Sequence, residues 1–287
     1  MAEEEQTTAP GPGPRSARDI ALDMFRSYGR GFTRMLAAAA LVMVPLLLAG
    51  PAAFGTDFVS LIVGTPGSEP PPLSDAALAG IAAYGGLYLL GMLAVSGAVA
   101  ELSARGLAGS DLSIGRAYGV TIRRLPSMLG AALITALTAG LPLALAASMT
   151  MSFLTIADVI LLALTVALAV YLGVRLAFTV FAALLERAGM VEAVARSWRL
   201  VSEAWRRTFA LLVLVSLLVG IIQIALEFAG AASPTAAAII SAVVVTPLTV
   251  IGNLLIYLDL RARKEGYSTG ALAKELDALA SPDSSPT

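Results

Sequence analysis

Cysteine and histidine are both absent from this chain of 287 residues. Without cysteine there is no thiol nucleophile, disulfide or thiolate metal site, and without histidine there is no imidazole acid–base catalyst or histidine-ligated zinc. Charged residues are also scarce, at 14% of the chain, against about a quarter in a typical soluble domain. The net charge of −1 gives no indication of a nucleic-acid partner. We therefore predict no cofactor, no metal and no enzymatic activity.

The scarcity of charge leaves several long uncharged runs in a chain that is 57% hydrophobic. A bilayer core about 30 Å thick needs about 20 apolar residues of helix, and each run reaches or approaches that length. The uncharged runs are 35–56, 76–100, 125–157, 208–226 and 228–258. The predicted fold class is an all-α integral membrane protein. Its six transmembrane helices are predicted at about 34–53, 74–100, 126–148, 156–184, 208–229 and 234–258.

The two ends of the chain have a different composition from the predicted membrane domain, which covers residues 16–266. Residues 1–15 are acidic and then rich in proline and glycine, a composition that predicts a disordered tail. They lack the basic segment followed by an apolar segment that is typical of a signal peptide. Residues 267–287 are predicted to form a second tail that contains a short amphipathic stretch. The apolar segment 58–63 is too short to span, and its re-entry into the membrane is left open.

Several helix starts carry recognisable capping residues. Ser16 is followed three residues later by Asp19, which is typical of a capping box. Thr155 precedes the fourth predicted helix and is expected to cap it, with Asp158 in the first turn. Ser233 followed by proline predicts the start of the sixth.

Almost every basic residue lies in one of four segments: before the first predicted span, between spans two and three, between spans four and five, and after span six. The exception is Arg175, which lies inside the fourth span. The positive-inside rule then predicts that both termini are cytoplasmic, in a bacterial inner membrane. Basic segments next to a membrane attract anionic lipids, which are the predicted partners. The basic residues of the four segments are Arg15, Arg18, Arg26, Arg30 and Arg34; Arg105, Arg116, Arg123 and Arg124; Arg187, Arg196, Arg199, Arg206 and Arg207; and Arg261, Arg263, Lys264 and Lys274.

An arginine and an aromatic residue two positions later recur in three of these basic segments, and each pair is followed by another arginine at the entrance to the membrane. These nine candidate contacts with the membrane surface are Arg26, Tyr28 and Arg34; Arg116, Tyr118 and Arg124; and Arg196, Trp198 and Arg207. We predict three repeated units, each an interfacial amphipathic helix followed by a transmembrane hairpin, at about 16–104, 111–185 and 189–264. The alternative is that any basic loop beside a membrane has this composition.

A few polar residues fall inside the predicted spans and form a candidate intramembrane site. Arg175 is expected to be buried and to pair with Asp259 or Glu101, because an ionised group in hydrocarbon needs compensation. Its role is either a structural link between helices or part of a substrate pathway. Gln223 and Asn253 are expected either to make interhelical hydrogen bonds or to bind a ligand.

Three stretches of the second half resemble a known family. Residues 174–186, residues 193–201 and residues 256–267 resemble the membrane domain found beside some bacterial glycerophosphoryl diester phosphodiesterases. In that family the hydrolase is a separate soluble barrel whose metal-dependent site uses histidine, which this chain lacks. The resemblance therefore implies a membrane-domain architecture and not phosphodiesterase activity.

These observations favour a non-enzymatic multi-pass membrane protein that scaffolds or regulates a partner, or that organises lipid at the inner leaflet. The first alternative is a transporter or channel for a lipid or small solute, with Arg175 in the pathway. A membrane enzyme acting on lipid headgroups is a further alternative. A protein partner or a second copy of the chain is left open.

Overall fold

The computed structural model describes residues 14–54, 75–110, 113–149, 155–230 and 233–280. Throughout these ranges the regular secondary structure is helical. The helices are α1 (Ala17–Phe54), α2 (Asp75–Leu107), α3 (Ile114–Met149), α4 (Ile156–Leu176), α5 (Thr179–Leu185), α6 (Met190–Val201), α7 (Trp205–Ala229), α8 (Pro234–Glu265) and α9 (Thr269–Ala280). The segment 58–63, the first 13 residues and the last seven lie outside the described residues, so the predictions made for them are not addressed.

The predicted fold class is confirmed: the chain is an all-α membrane protein. Within the described residues, six helical segments are long and apolar enough to cross a bilayer, namely α1, α2, α3, α4 continued by α5, α7, and α8. The longest, α1, has 38 residues and measures about 57 Å at 1.5 Å per residue. It is therefore almost twice as long as the hydrocarbon core of a bilayer.

The predicted caps are present at three helix starts. Ser16 and Asp19 exchange reciprocal hydrogen bonds, with 3.0 Å from the Ser16 N–H to Asp19 and 3.2 Å from the Asp19 N–H to the Ser16 hydroxyl. Thr155 and Asp158 form the same capping box before α4. The Ser233 hydroxyl accepts from a first-turn N–H of α8. These starts are encoded locally because each cap needs only residues three positions apart.

Helix α8 lies at the centre of the bundle and packs against α1, α2 and α7. Its second half is buried from Leu254 to Leu260. The Tyr257 ring stacks on Phe181 with 5.8 Å between ring centroids and lies 5.9 Å from Phe178. The first half of α4, by contrast, exposes most of its apolar side chains, including Ile156, as expected for a surface facing lipid. The tightly packed part of the bundle is thus next to the C-terminal half of α8.

Gly252 of α8 allows three helices to come together. A Cβ atom at this position would lie 2.6 Å from Cγ1 of Val215 in α7 and 2.9 Å from the sulfur of Met24 in α1. A Cβ atom at Gly252 would therefore require the Val215 and Met24 side chains to shift. The absence of a side chain at Gly252 leaves room for both against the central helix.

The predicted architecture of interfacial helix plus hairpin is seen only in the third unit. In the first two units, the basic segment continues without a break into the span as the first part of α1 and of α3. In the third, α6 is a separate helix joined to α7 by the turn 202–204. The repeat itself stays a prediction.

The fourth span also differs from the prediction, since it is two helices instead of one. Ala177 keeps helical backbone angles, Phe178 departs from them with φ −109° and ψ 11°, and α5 begins at Thr179. There is no proline at this point, so local sequence offered no indication of the break.

Candidate functional site

The arginine-rich ends of the spans meet at one end of the bundle, which we call the basic end. It comprises the start of α1, the end of α2, the start of α3, the end of α5, helix α6, the start of α7, the end of α8 and helix α9. Contacts across it include Arg105 to the Leu276 carbonyl and Arg207 to Asp259. Most candidate residues predicted from sequence lie here.

Asp259 is fully buried and joins the first helix to the last two spans. Its carboxylate accepts hydrogen bonds from Arg207 at 3.1 Å, from Arg263 at 3.0 Å and from the backbone N–H of Arg15 at 2.6 Å. The Arg15 carbonyl in turn accepts from Arg207 at 2.5 Å and from Arg263 at 2.8 Å. Asp259 therefore fixes the start of the chain against α7 and α8, and its charge is balanced by neighbouring arginines.

Glu101 is the second fully buried carboxylate of the predicted site. One of its oxygens accepts from Arg105 one turn later on α2. The same arginine donates to the Leu276 carbonyl of α9 at 3.1 Å. The other oxygen, Oε2, is buried without a hydrogen-bond partner among the described residues. This ion pair holds α9 against the end of α2.

A third group of ion pairs lies around Arg196 of α6. It donates to Glu186 at 2.6 Å and also pairs with Glu265 at the end of α8. These hydrogen bonds, with Glu265 contributing most, raise the pKa of the Arg196 guanidinium above its ordinary value. Glu186 further accepts from the Tyr257 hydroxyl. Arg196, a predicted contact with the membrane surface, is instead tied into the protein.

Arg261 connects this group to α9. Its two terminal nitrogens donate to both oxygens of Glu275 at 2.9 and 2.7 Å, and its guanidinium lies 3.7 Å from the Tyr267 ring centre. The Tyr267 hydroxyl donates to Glu275 at 2.5 Å. Burial, reinforced by that hydrogen bond, raises the pKa of Tyr267. The bidentate pair between α8 and α9 is the geometry in which arginine binds a carboxylate most strongly.

Arg175 does not have the carboxylate partner that the sequence led us to expect. No acidic side chain of the described residues forms an ion pair with it, and both expected partners pair with other arginines. Its guanidinium lies 5.1 Å from the ring centre of Tyr171 and 4.5 Å from that of Trp198. It donates to the Tyr171 hydroxyl at 2.7 Å and to the Trp198 carbonyl at 3.4 Å. Two aromatic rings thus replace the carboxylate, and Arg175 links α4 to α6.

Ser197, which the sequence analysis did not single out, connects α6 to the break between α4 and α5. Its hydroxyl donates to the Arg175 carbonyl at 2.8 Å and accepts from the Phe178 N–H at 3.2 Å. Both backbone groups lie at the interruption of the fourth span. The only signal in the sequence is a small polar residue beside the apolar face of an amphipathic helix.

Some of the predicted contacts with the membrane surface are exposed, whereas others contact neighbouring helices. Arg26, Arg34 and Arg116 are exposed. The aromatic residues of the first two segments instead turn towards neighbouring helices: the Tyr28 hydroxyl donates to the Val244 carbonyl at 3.1 Å, and the Tyr118 hydroxyl to the Ala38 carbonyl at 2.7 Å. Arg207 is tied to the buried Asp259, Arg124 is partly buried, and Trp198 is 38% exposed.

The residue between the arginine and the aromatic is buried in all three segments. Ser27, Ala117 and Ser197 have relative exposures of 8%, 0% and 0%. A small residue at this position lets each segment pack closely against the bundle while the arginine before it stays at the surface or in an ion pair. The similarity is consistent with the predicted repeat but does not establish it.

Apart from Arg124 and Arg187, which are partly buried, the arginines of the basic end divide into a paired and an unpaired set. Within the described residues, the paired set makes ion pairs with buried or partly buried carboxylates: Arg15, Arg26, Arg105, Arg196, Arg207, Arg261 and Arg263. The unpaired set is exposed and forms no ion pair with any described carboxylate: Arg18, Arg30, Arg34, Arg116, Arg123, Arg199 and Arg206. Asp19, Glu192, Glu203, Glu265 and Asp277 are also exposed at this end. Within the described residues the exposed basic side chains outnumber these carboxylates, so the surface of the basic end carries excess positive charge.

A cavity of about 360 Å³ that is partly open to the surface lies between α2, α5 and α8. Asn253 lines it, and Arg175 is not among its lining residues. Gln223 is elsewhere and takes the interhelical role, accepting from Ser241 of α8 at 2.6 Å. The lining residues are Met92, Leu93, Ser96, Val180, Phe181, Val245, Thr246, Thr249, Val250 and Asn253.

No protein-family model, curated protein or solved structure matches the chain. The resemblance to the membrane domain beside glycerophosphoryl diester phosphodiesterases stays a prediction. Among the described residues, no group of three or more carboxylates is placed to hold a metal ion.

Proposed function

We propose that this chain is a non-enzymatic multi-pass membrane protein that binds anionic lipid headgroups in the cytoplasmic leaflet through the arginines of its basic end. The observation that carries the proposal is the division of those arginines. A phosphate headgroup competes poorly for a guanidinium that already holds a carboxylate, whereas an exposed, unpaired guanidinium can donate two parallel hydrogen bonds to it.

The first part of α1 supports the proposal because it combines exposed charge with exposed aromatic surface. Arg30 and Arg34 are exposed and unpaired. Phe25 and Phe32, on the same stretch of helix, are each 43% exposed. Alternation of arginine with large apolar side chains is typical of a helix at the boundary between headgroups and acyl chains.

Arg116 at the start of α3 extends the basic surface of α1. The Tyr118 hydroxyl bonds the Ala38 carbonyl at 2.7 Å, which fixes the start of α3 against α1, one turn beyond Arg34. Each basic residue near an anionic bilayer surface contributes about 1 kcal/mol of attraction. Together, Arg30, Arg34 and Arg116 are expected to give a measurable preference for anionic lipid.

The test uses the full chain in nanodiscs that contain equal amounts of phosphatidylglycerol and phosphatidylcholine. The protein is released from the nanodisc in a native mass spectrometer, and the lipids that remain bound to it are counted. We expect phosphatidylglycerol to be enriched, and the triple variant Arg30→Gln, Arg34→Gln, Arg116→Gln to lose about tenfold or more of that enrichment, since about 1 kcal/mol per arginine is removed.

Arg26→Gln is the single-charge control, to be compared with Arg34→Gln, because Arg26 is exposed on the same helix but lies 3.6 Å from the Asp23 carboxylate. Because its guanidinium is already paired, its loss should lower the enrichment less than the loss of Arg34 does. Equal retention of the two lipids by the wild-type chain at low salt would refute the proposal, as would a triple variant with undiminished preference.

A further inference from the structure

We propose that the cavity between α2, α5 and α8 binds an uncharged amphiphile from the bilayer through a carbonyl oxygen. The shared chemistry is a carbonyl on an apolar skeleton, which occurs in the ester of a glycerolipid and in an isoprenoid quinone. This site is separate from the arginines of the basic end and goes beyond the proposed headgroup binding.

The size and walls of the cavity suit part of a lipid or a small apolar ligand. Its volume of about 360 Å³ lies at the lower end of the range for small-molecule sites, about 300–1,000 Å³. Apolar side chains from three helices form most of the wall. Phe181 is buried and stacks on Tyr257 at 5.8 Å, and Val250 beside it is also buried. One side of the cavity is therefore rigid and already formed.

Three hydrogen-bonding groups line the cavity without partners. The Asn253 amide and the hydroxyls of Ser96 and Thr246 make no hydrogen bond with any described residue. Thr249, by contrast, already donates to the Val245 carbonyl of its own helix at 2.9 Å. A polar group left unsatisfied in hydrocarbon costs several kcal/mol by the usual estimate of about 2–7 kcal/mol. A ligand oxygen placed here would remove that cost.

The lining of the site argues that the ligand is uncharged. Ser96 lies five residues before Glu101 and Asn253 six before Asp259, so both lie about 8–9 Å along their helices from carboxylates that arginines already neutralise. No charged residue lines the cavity, so a bound ion would have no counter-charge beside it. The Asn253 amide and the two hydroxyls can each donate or accept a hydrogen bond, and a ligand carbonyl would accept from their N–H and O–H groups.

The test is photo-crosslinking of the full chain in nanodiscs doped with one of three diazirine probes: an ester phospholipid, a quinone, or a hydrocarbon of the same chain length. Cross-linked peptides are mapped by mass spectrometry. We expect at least one carbonyl probe to label the peptides that contain residues 92–96 and 245–253 above the level of peptides that face lipid, and the two carbonyl arms distinguish the lipid from the quinone.

Two variants separate occupancy from folding. Ser96→Phe fills the cavity and should lower this labelling about tenfold, whereas Ser216→Phe, on an exposed position of α7, should leave it unchanged. Asn253→Leu keeps the volume but removes the amide, and should reduce labelling by the carbonyl probe at least fivefold without changing labelling by the hydrocarbon. The inference would be overturned if peptides of the cavity and peptides that face lipid were labelled equally. It would also be overturned if Asn253→Leu reduced labelling by the carbonyl probe and by the hydrocarbon probe to the same extent.

Discussion

Arg175 shows how a single side chain in this bundle is stabilised by groups that a charge pattern does not reveal. Sequence reasoning expected a carboxylate because a buried cation needs a counter-charge. The structure supplies two aromatic faces and two oxygens instead. Arg175 is partly exposed, and a cation over an aromatic ring gains about 0.5 kcal/mol at exposed sites and about 2 kcal/mol at desolvated ones, which makes a structural link the simplest role for this arginine.

That role predicts an energetic coupling between Arg175 and Trp198. In a double-mutant cycle, Arg175→Met and Trp198→Leu should each destabilise the protein, and the double variant should lose less than the sum by about 1–2 kcal/mol. The measurement is the unfolding midpoint in detergent micelles titrated with dodecyl sulfate. Strictly additive losses would contradict the coupling, and an Arg175→Met variant of unchanged stability would favour a role in a pathway.

Helix α9 is an integral part of the bundle, although its sequence lies in a segment predicted as a tail. It begins after Gly266, whose φ of 63° reverses the chain at the end of α8. Leu272, Leu276 and Leu279 are buried against the ends of the spans. Arg105 and Arg261 add polar contacts from two other helices. A short amphipathic helix therefore closes the basic end.

Truncation of Leu276 tests this packing. Leu276 is fully buried, so Leu276→Ala should cost about 2–5 kcal/mol and free α9 from the bundle. Trypsin cleavage after Lys274 should then become markedly faster than in the wild type, because cleavage requires local unfolding of the helix. Leu217→Ala is the matched control, since Leu217 is 61% exposed on α7. Equal cleavage rates in all three proteins would show that α9 is not held in place.

At the scale of the whole molecule, the charged residues of the basic end occur both in buried ion pairs and on the surface. Buried ion pairs at the basic end join α1, α2, α6, α7, α8 and α9, while unpaired arginines form its surface. The opposite end has Thr155 and Asp158 in a capping box and Glu227 in contact with Gln223 at 2.5 Å. This asymmetry predicts that the basic end is cytoplasmic, because cationic segments are retained on that side during insertion.

The absence of cysteine makes this orientation directly measurable. Single variants Ala17→Cys and Ser268→Cys lie at the basic end, and Ala157→Cys lies at the opposite end, all at exposed or partly exposed positions. On intact cells, a maleimide that does not cross membranes should label only Ala157→Cys. The other two should react only after permeabilisation. Labelling of all three from outside, or of Ala17→Cys and Ser268→Cys from opposite sides, would contradict the topology.

Six spans and several helix starts followed from the sequence because apolar runs and caps act over neighbouring residues. The candidate site was harder to predict. The sequence identified Asp259 and Arg175 as unusual, but it did not identify their partners. Arg15 and Asp259, which form a hydrogen bond, are 244 positions apart in the sequence. The Ser197 hydroxyl accepts a hydrogen bond from the N–H of Phe178 at the helix break, 19 positions away.

The sequence by itself determined that hydrocarbon surrounds most of this chain and that all of its arginines except Arg175 lie in four segments. Insertion into a bilayer depends on local composition, so these properties need no knowledge of packing. Only the tertiary structure decided which arginines are neutralised, where the fourth span breaks and that Asn253 lines a cavity. Those outcomes depend on distances between residues far apart in sequence, which are set by how the helices pack against one another.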